Sequence, residues 1–407
     1  MTRVPPQKKI QRLLAVSNVF TPGSPIKEID LFSGRMDQII KLAGAIRQDG
    51  QHAAIYGERG VGKTSLANVL ADAVNAFQHT ATKANIRCAR VNCNTEDTFR
   101  TLWKGILKKL DIHPEDHEVT VPLVVDELEN RSTKTLIIID EFDRLRDQTA
   151  ISLMADTIKA LSDTPTSSTV ILVGVGDSIA ELIGDHRSVE RAMTQVNMPR
   201  MSSGELRQLI QKGVSRLEMT ISQAALSRLA WFSEGLPFYA HLLSLHATSS
   251  AVQDDRNEVS DGDVQHAVNQ AVDKSQHSII GDYAAAIRSQ RKDNKFAAVL
   301  LACALCEKDD LGYFPPRAVQ YPLEFILNNT VQMSAYSRHL NEFCTDEHHN
   351  VLQKAGVDRK PIYRFDNPII QPYVILRALA EKRLTEDALA SFKPRPDPTL
   401  FDRLPPL

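Results

Sequence analysis

Apolar residues in the first half of the chain follow two alternating patterns. Short runs at His52-Ala53-Ala54-Ile55-Tyr56, Ile86 to Val91, Leu136-Ile137-Ile138-Ile139, Val170-Ile171-Leu172-Val173-Gly174 and Gln195-Val196-Asn197-Met198 read as strands. Before and between them, Met36 to Gln48, Ser65 to Ala71, Thr98–Leu110 and Pro122–Asn130 carry apolar residues at helical spacing. The unbroken run at 136–139 predicts a strand covered on both faces, as in the middle of a parallel sheet. Strands alternating with helices predict a parallel sheet wrapped by helices on both sides.

From Ser203 the pattern is wholly helical, with helices expected at Gly204–Leu217, Ser222–Phe232, Pro237–Thr248 and Asp261–Ser275. Ser222 and Ser260 sit as N-caps, and Asp263 stands three residues beyond Ser260. Gly281 to Ala380 reads as a further unit. Its helices fall at Asp282–Ser289, Asn294–Glu307, Pro316–Leu327 and Ser334–Phe343, followed by a hairpin between Val351–Lys354 and Pro361–Phe365 with a basic tip. The expected organisation is an arm (1–30), an α/β domain (31–201), a helical domain (202–278), a mixed α+β domain (279–385) and an extended Pro-rich tail (386–407). The arm carries one short helix, Gln7 to Ala15. Its Lys8, Lys9 and Arg12 could touch nucleic acid, but the preferred reading packs the arm on the α/β surface.

Composition narrows the classes. A net charge of −2 excludes a strongly basic, histone-like surface, and no apolar run approaches the ~20 residues of a membrane span. The first residues, Met1-Thr2-Arg3-Val4-Pro5-Pro6, lack the apolar core of a signal peptide, so a cytoplasmic protein without membrane partners is expected. The five cysteines are scattered rather than arranged as a disulfide framework. Cys303-x-x-Cys306 falls in an apolar helical run and reads as a pair of core thiols.

The chemistry concentrates at Gly57-Glu58-Arg59-Gly60-Val61-Gly62-Lys63-Thr64, which fits G-x-x-x-x-G-K-[ST] between a strand and a helix. Glycines let successive N–H groups curl around phosphate oxygens, and the helix adds its free amides and positive dipole end. Gly57, Gly60, Val61, Gly62, Lys63, Thr64 and Ser65 are therefore the candidate nucleotide-binding positions. Lys63 would reach the β- and γ-phosphates, and the Thr64 hydroxyl would ligate Mg2+. Asp140 and Glu141 follow the buried run at 136–139, where doubly wound sheets place their chemistry. Asp140 would hold Mg2+, and Glu141 would orient or deprotonate the attacking water. After the fourth strand, Asp177 or Ser178 could sense the γ-phosphate or serve as a turn or helix cap.

These motifs, in this order, resemble the AAA+ superfamily, in particular its initiator or origin-recognition type and the neighbouring signal-transduction (STAND) ATPases. The resemblance covers residues 30–275 by motif and 281–380 by pattern. It implies an α/β P-loop NTPase with a five-stranded parallel sheet, an α-helical lid and a C-terminal winged-helix-like α+β domain. It also implies ATP and Mg2+ as cofactors. Phe32-Ser33-Gly34-Arg35 matches the family motif near the nucleotide base, which makes Gly34 and Arg35 candidates. Gly235-Leu236-Pro237 matches the lid motif whose proline packs near adenine, and His241 is the only polar residue nearby to act as a lid sensor. Such proteins complete their sites between subunits with an arginine. Arg191, then Arg187, stands in the matching place, with a surface ion pair as the alternative. If the winged helix grips DNA, Arg338, His339 and Asn341 could reach bases, and Arg359 and Lys360 the backbone; the alternative is docking to a partner. The expected function is thus an ATP-hydrolysing switch that forms homo-oligomers and controls a protein partner. The second reading is an initiator-like ATPase that remodels duplex DNA.

Overall fold

The computed structural model describes residues 6–27, 32, 34–76, 86–113, 118–131, 133–164, 166–184, 187–289, 294–309, 311–357 and 360–393. The chain divides into two compact units, one of Pro25–Pro199 and one of Met1–Ser24 with Arg200–Leu407.

A first helix, α1 (Pro6–Val19), belongs to the second of these units. The Pro25–Pro199 unit then runs α2 (Met36–Arg47), β1 (His52–Gly57), α3 (Lys63–Ala76), β2 (Arg87–Asn92), α4 (Phe99–Lys109), α5 (Val121–Glu129), β3 (Thr135–Asp140), α6 (Gln148–Asp163), β4 (Ser168–Val175), α7 (Ile179–Ile183), α8 (Arg187–Glu190) and β5 (Met193–Asn197). All five strands are parallel, in the order β2-β3-β4-β1-β5, so the expected sheet is present. β3 is buried at every position. Ile137 and Ile139 pack in one core with Trp103 and Ile106 of α4 and Met154 and Ile158 of α6. α4 starts at a reciprocal cap between Thr98 and Thr101. The apolar pattern does not mark α6, because Thr157 and the small Ala150 and Ala155 share its buried face with the larger residues. Parallel neighbours nevertheless need a crossover between β3 and β4, and α6 supplies it. The strand order leaves the ends of β1 and β3 on either side of β4.

The other unit comprises α1, α9 (Ser203–Arg216), α10 (Gln223–Phe232), α11 (Pro237–Gln253), α12 (Asp261–Asp273), α13 (His277–Ala286), α14 (Phe296–Leu305), α15 (Gln320–Leu327), α16 (Ser337–Glu342), α17 (Ile370–Ala380) and α18 (Glu386–Phe392). Two short strands, β6 (Thr220–Ile221) and β7 (Glu258–Val259), pair in parallel, and β8 (Leu352–Val357) and β9 (Lys360–Phe365) form the hairpin.

Three expectations about this half change. The N-terminal arm is longer in helix than predicted: α1 packs on α11, while Ile26 further along the arm bonds to Ser65 and Asn68 of α3. Arg12 donates to the Arg256 carbonyl and to Asn257, while Phe20 lies where a Cβ at Gly213 would meet its ring at 2.5 Å. The regions expected as separate helical and mixed domains share a core. Tyr239 of α11 donates its hydroxyl proton to the Ile369 carbonyl at 2.7 Å, and α12 packs on α17. The start of the expected extended tail is helical: α18 is tied down by Arg228 with Glu386 and by Lys393 with Glu234. Residues 394–407 lie outside the described set. Cys303 and Cys306 are both buried, and burial pushes their thiol pKa values up.

Two buried imidazoles set the acid limit of this fold. His52 Nδ1 accepts from the Val170 amide at 3.0 Å, and His241 Nδ1 accepts from the Thr21 amide at 3.3 Å, beside the Phe20 ring. Burial lowers both pKa values from 6.5 to about 4. The unfolded chain binds the proton first, so each site loses stability as pH falls through 6.5 and levels off below 4. His241→Asn keeps an acceptor without the titration. Relative to wild type, it should therefore regain up to ~3 kcal/mol at pH 4 compared with pH 7.5, measured by urea unfolding at both pH values.

Candidate functional site

β1 ends at Gly57, where φ is 145° and a Cβ would lie 2.5 Å from the Met198 carbonyl oxygen. Gly60 and Gly62, with φ of 86° and 99°, curl the loop into the start of α3 at Lys63. The first amides of α3 have no intrahelical acceptor and sit at the positive end of its dipole, an arrangement that binds anions. Lys63 Nζ donates to the Gly57 carbonyl at 2.9 Å and the Glu58 carbonyl at 2.8 Å. It is 8% exposed. Burial lowers its pKa to about 8, against the opposing pull of Asp143, Asp140 and Glu58. Thr64 and Ser65 are half-buried in the same first turn.

The loop is braced from two directions. Arg35, 3% exposed, follows Gly34 (φ 73°) and donates to the Val61 carbonyl at 3.1 Å and the Pro199 carbonyl at 2.6 Å. Its guanidinium therefore braces the loop. Ser65 Oγ accepts from the Ile26 amide at 3.1 Å, and Asn68 Nδ2 donates to the Ile26 carbonyl at 2.8 Å.

The carboxylates lie across β4. Asp140, the last residue of β3, is 2% exposed. Its Oδ1 accepts from the Glu141 amide at 2.9 Å, and its Oδ2 from Arg90 Nη2 at 2.5 Å. Glu141 holds a left-handed φ of 55°, costly for a side-chain-bearing residue and concentrated at functional sites. Its carboxylate accepts from Arg144 at 2.8 Å, both side chains being about half exposed. Asp143 accepts from the Val175 amide at 2.8 Å, which ties the turn after β3 to the end of β4. Sequence reasoning missed Arg90, Arg144 and Asp143 as site residues. The one available signal was an arginine placed inside a strand expected to be part of a covered sheet.

The remaining candidates are dispersed. Asp177 is half-buried after β4, and its amide donates to Glu181 at 2.9 Å. Arg191 is exposed in the turn before β5 and makes no ion pair among the described residues, so the surface-pair alternative finds no partner there. Pro237 opens α11 in the other unit, after Gly235 with φ 78°. His241 is buried beside Phe20 and Thr21, and burial lowers its pKa to about 4, which disfavours a charged lid sensor. α16 has six residues, fewer than the expected Ser334–Phe343 helix. On it, Arg338 pairs with Glu342 at 2.7 Å, His339 packs 4.7 Å from the Phe296 ring, and Asn341 accepts from Tyr363 at 3.0 Å. Lys360 is exposed on β9, and Arg359 lies outside the described residues.

No group of three or more His, Cys, Asp or Glu side chains among the described residues could cage a metal. The donor set does fit Mg2+ brought by a nucleotide: one hydroxyl and one buried carboxylate, both hard oxygen ligands, with phosphates and water completing the shell.

A family model described as Novel STAND NTPase 1 matches residues 25–290. No curated protein matches the sequence. Among solved structures, the ORC2 protein of Aeropyrum pernix, determined as ADPNP–ADP complexes, is similar over 92% of this chain and 98% of its own, at 14% identity and a TM-score of 0.54. A Walker-type ATPase of Pyrococcus abyssi is similar over 88% of this chain and 99% of its own, at 14% identity and a TM-score of 0.53. At such identities the likeness is one of fold, and it is the P-loop fold with the parallel sheet described above. No helix among the described residues is long and apolar enough to cross a membrane.

The depressed Lys63 pKa has a measurable sign. A bound polyphosphate favours the ammonium, so binding raises the pKa from about 8 and takes up a proton. Affinity for a nucleoside triphosphate should therefore fall by up to about tenfold per unit as pH rises above 8. Titration calorimetry at pH 8.5 in two buffers of different ionisation enthalpy would report the proton uptake. Lys63→Arg, charged throughout, should lose both the uptake and the pH dependence.

Proposed function

Because the chain belongs to the Novel STAND NTPase 1 family, we propose that it is an ATP-hydrolysing switch whose nucleotide state sets its self-association and its action on a protein partner. The observation that carries this reading is where the chain passes between its two units. The passages fall at Ser24–Pro25 and Pro199–Arg200. Ile26 is held at both its amide and its carbonyl by Ser65 and Asn68 of α3, and the Pro199 carbonyl is held by Arg35, which also holds Val61 of the loop. Phosphate binding that shifts the loop thus pulls on both connections at once.

In this reading Lys63 and the α3 amides bind the phosphates, and Glu141 orients the attacking water after leaving Arg144. That half-exposed pair is worth roughly 0–1 kcal/mol, so releasing it is cheap. Thr64 and Asp140 would hold Mg2+, whose chemistry when bound is to neutralise charge on the transferred phosphoryl group. Arg191 serves a neighbouring copy, in keeping with its exposure and with the absence of an ion pair to it among the described residues. Adenine is favoured by the resemblance to AAA+ ATPases, and the guanine-reading N-K-x-D motif does not follow β4. The C-terminal helices and hairpin, read as winged-helix-like, act as a docking lever and not as a DNA reader, since His339 and Asn341 are occupied within the fold.

The test is the mass of the Glu141→Gln protein by light scattering with ATP, with ADP, and with ATP plus duplex DNA. Assembly with ATP alone is expected. Arg191→Ala in the otherwise wild-type protein should lower ATP turnover by about 10^3-fold while leaving nucleotide binding intact. A monomer under all three conditions would sink self-association, and assembly only with DNA would favour the remodelling reading.

A further inference from the structure

Arg90 and Asp140 stand on neighbouring parallel strands, but not opposite each other. Asn92 pairs with Asp140 and Arg90 with Ile138, so Arg90 starts two residues further back on the same face. Its long side chain runs towards the carboxyl end of the sheet, and Nη2 reaches Asp140 Oδ2 at 2.5 Å. The carboxylate is 3% exposed and the arginine side chain 26%. Arg90 Nε is buried and has no hydrogen-bond partner, so the guanidinium is drawn into the site by this one pair. With Glu141 N–H on Oδ1, both oxygens of the carboxylate assigned to the metal are already engaged.

We propose that Arg90 is the resident counter-ion of Asp140, a positioning residue that keeps a bare divalent cation off this carboxylate and admits one only together with nucleotide phosphates. This rests on the nucleotide site proposed above. A cation arriving alone meets a carboxylate whose charge is already neutralised and a fixed positive charge beside it. A cation arriving with a polyphosphate brings its own compensating negative charge, so the arginine can stay or turn towards the phosphates. The metal requirement is then coupled to nucleotide by a residue of the edge strand, outside the loop and the carboxylate pair. Removing the arginine leaves a buried carboxylate without its bonded counter-ion, a costly arrangement that uptake of a cation relieves.

The probe is Mn2+ without nucleotide, with the free ion followed by electron paramagnetic resonance against the full chain. Arg90→Met, which keeps the packing of the stem, should bind Mn2+ at least about tenfold more tightly than wild type, a change of about 1.4 kcal/mol. Asp140→Asn in the Arg90→Met background should abolish that gain, and Arg90→Lys, which keeps the charge, should behave as wild type. Equal Mn2+ affinity in wild type, Arg90→Lys and Arg90→Met overturns the proposal, as does a gain that Asp140→Asn does not remove. Should Arg90→Met fail to fold, Arg90→Gln carries the same comparison. Binding of a fluorescent ATP analogue to wild type, followed in parallel, separates the two readings. Nucleotide binding with unaltered metal affinity sinks the role of Arg90 alone, whereas absence of nucleotide binding sinks the site on which it rests.

Discussion

The close approach of Gly57 to the Met198 carbonyl is the constraint on which the site depends. β1 and β5 are parallel neighbours, and just beyond their paired residues the Met198 amide donates to the Tyr56 carbonyl at 2.8 Å. That bond brings the chain after β5 over the start of the loop, where a Cβ at residue 57 has no room. One residue later, the Pro199 carbonyl meets Arg35, and the same guanidinium holds Val61. A side chain at 57 would displace the Met198 carbonyl, then Pro199, and with it the brace on the loop. The glycine is thus needed for the packing of the loop against β5 as much as for its curvature.

Charge is arranged so that the site approaches neutrality from within. Lys63 is desolvated enough to lose part of its affinity for its proton, and the carboxylates of Asp143 and Asp140 recover some of it. Each acid assigned to the chemistry has an arginine of its own, Arg90 for Asp140 and Arg144 for Glu141. The two pairs differ in kind. The Glu141 pair is solvated and easily opened, whereas the Asp140 pair lies largely out of water, where removing one partner costs far more than the pair contributes.

What was legible in the sequence follows from how local each feature is. The loop from Gly57 to Thr64 and the acids after β3 are contiguous motifs, and all five sheet strands are readable as short segments of the pattern. α6 was not legible because its buried face is built partly from alanine and threonine. α17 was not because it is buried nearly all round and carries Pro372 in its first turn. Phe20, just past the end of α1, fits over Gly213 of α9, a match between residues almost two hundred positions apart that no periodicity encodes. Arg90 escaped for a similar reason: its role depends on the register of β2 against β3, and a one-residue slip would turn it to the other face.

The same distinction decides how the C-terminal region should be read. Its sequence carries cations in a helix-then-hairpin pattern, which viewed alone suits a nucleic-acid surface. In the fold, Asn341 accepts from Tyr363 of β9 and from Lys354 of β8, while Arg364 lies 4.6 Å over the Tyr313 ring. Phe314 bridges to Tyr363, which binds the hairpin to the segment ahead of α15. The polar and basic side chains near the helix–hairpin junction therefore serve to fix the hairpin against its own helices. The bonds from Tyr363 and Lys354 to Asn341 tie both strands of the hairpin to α16.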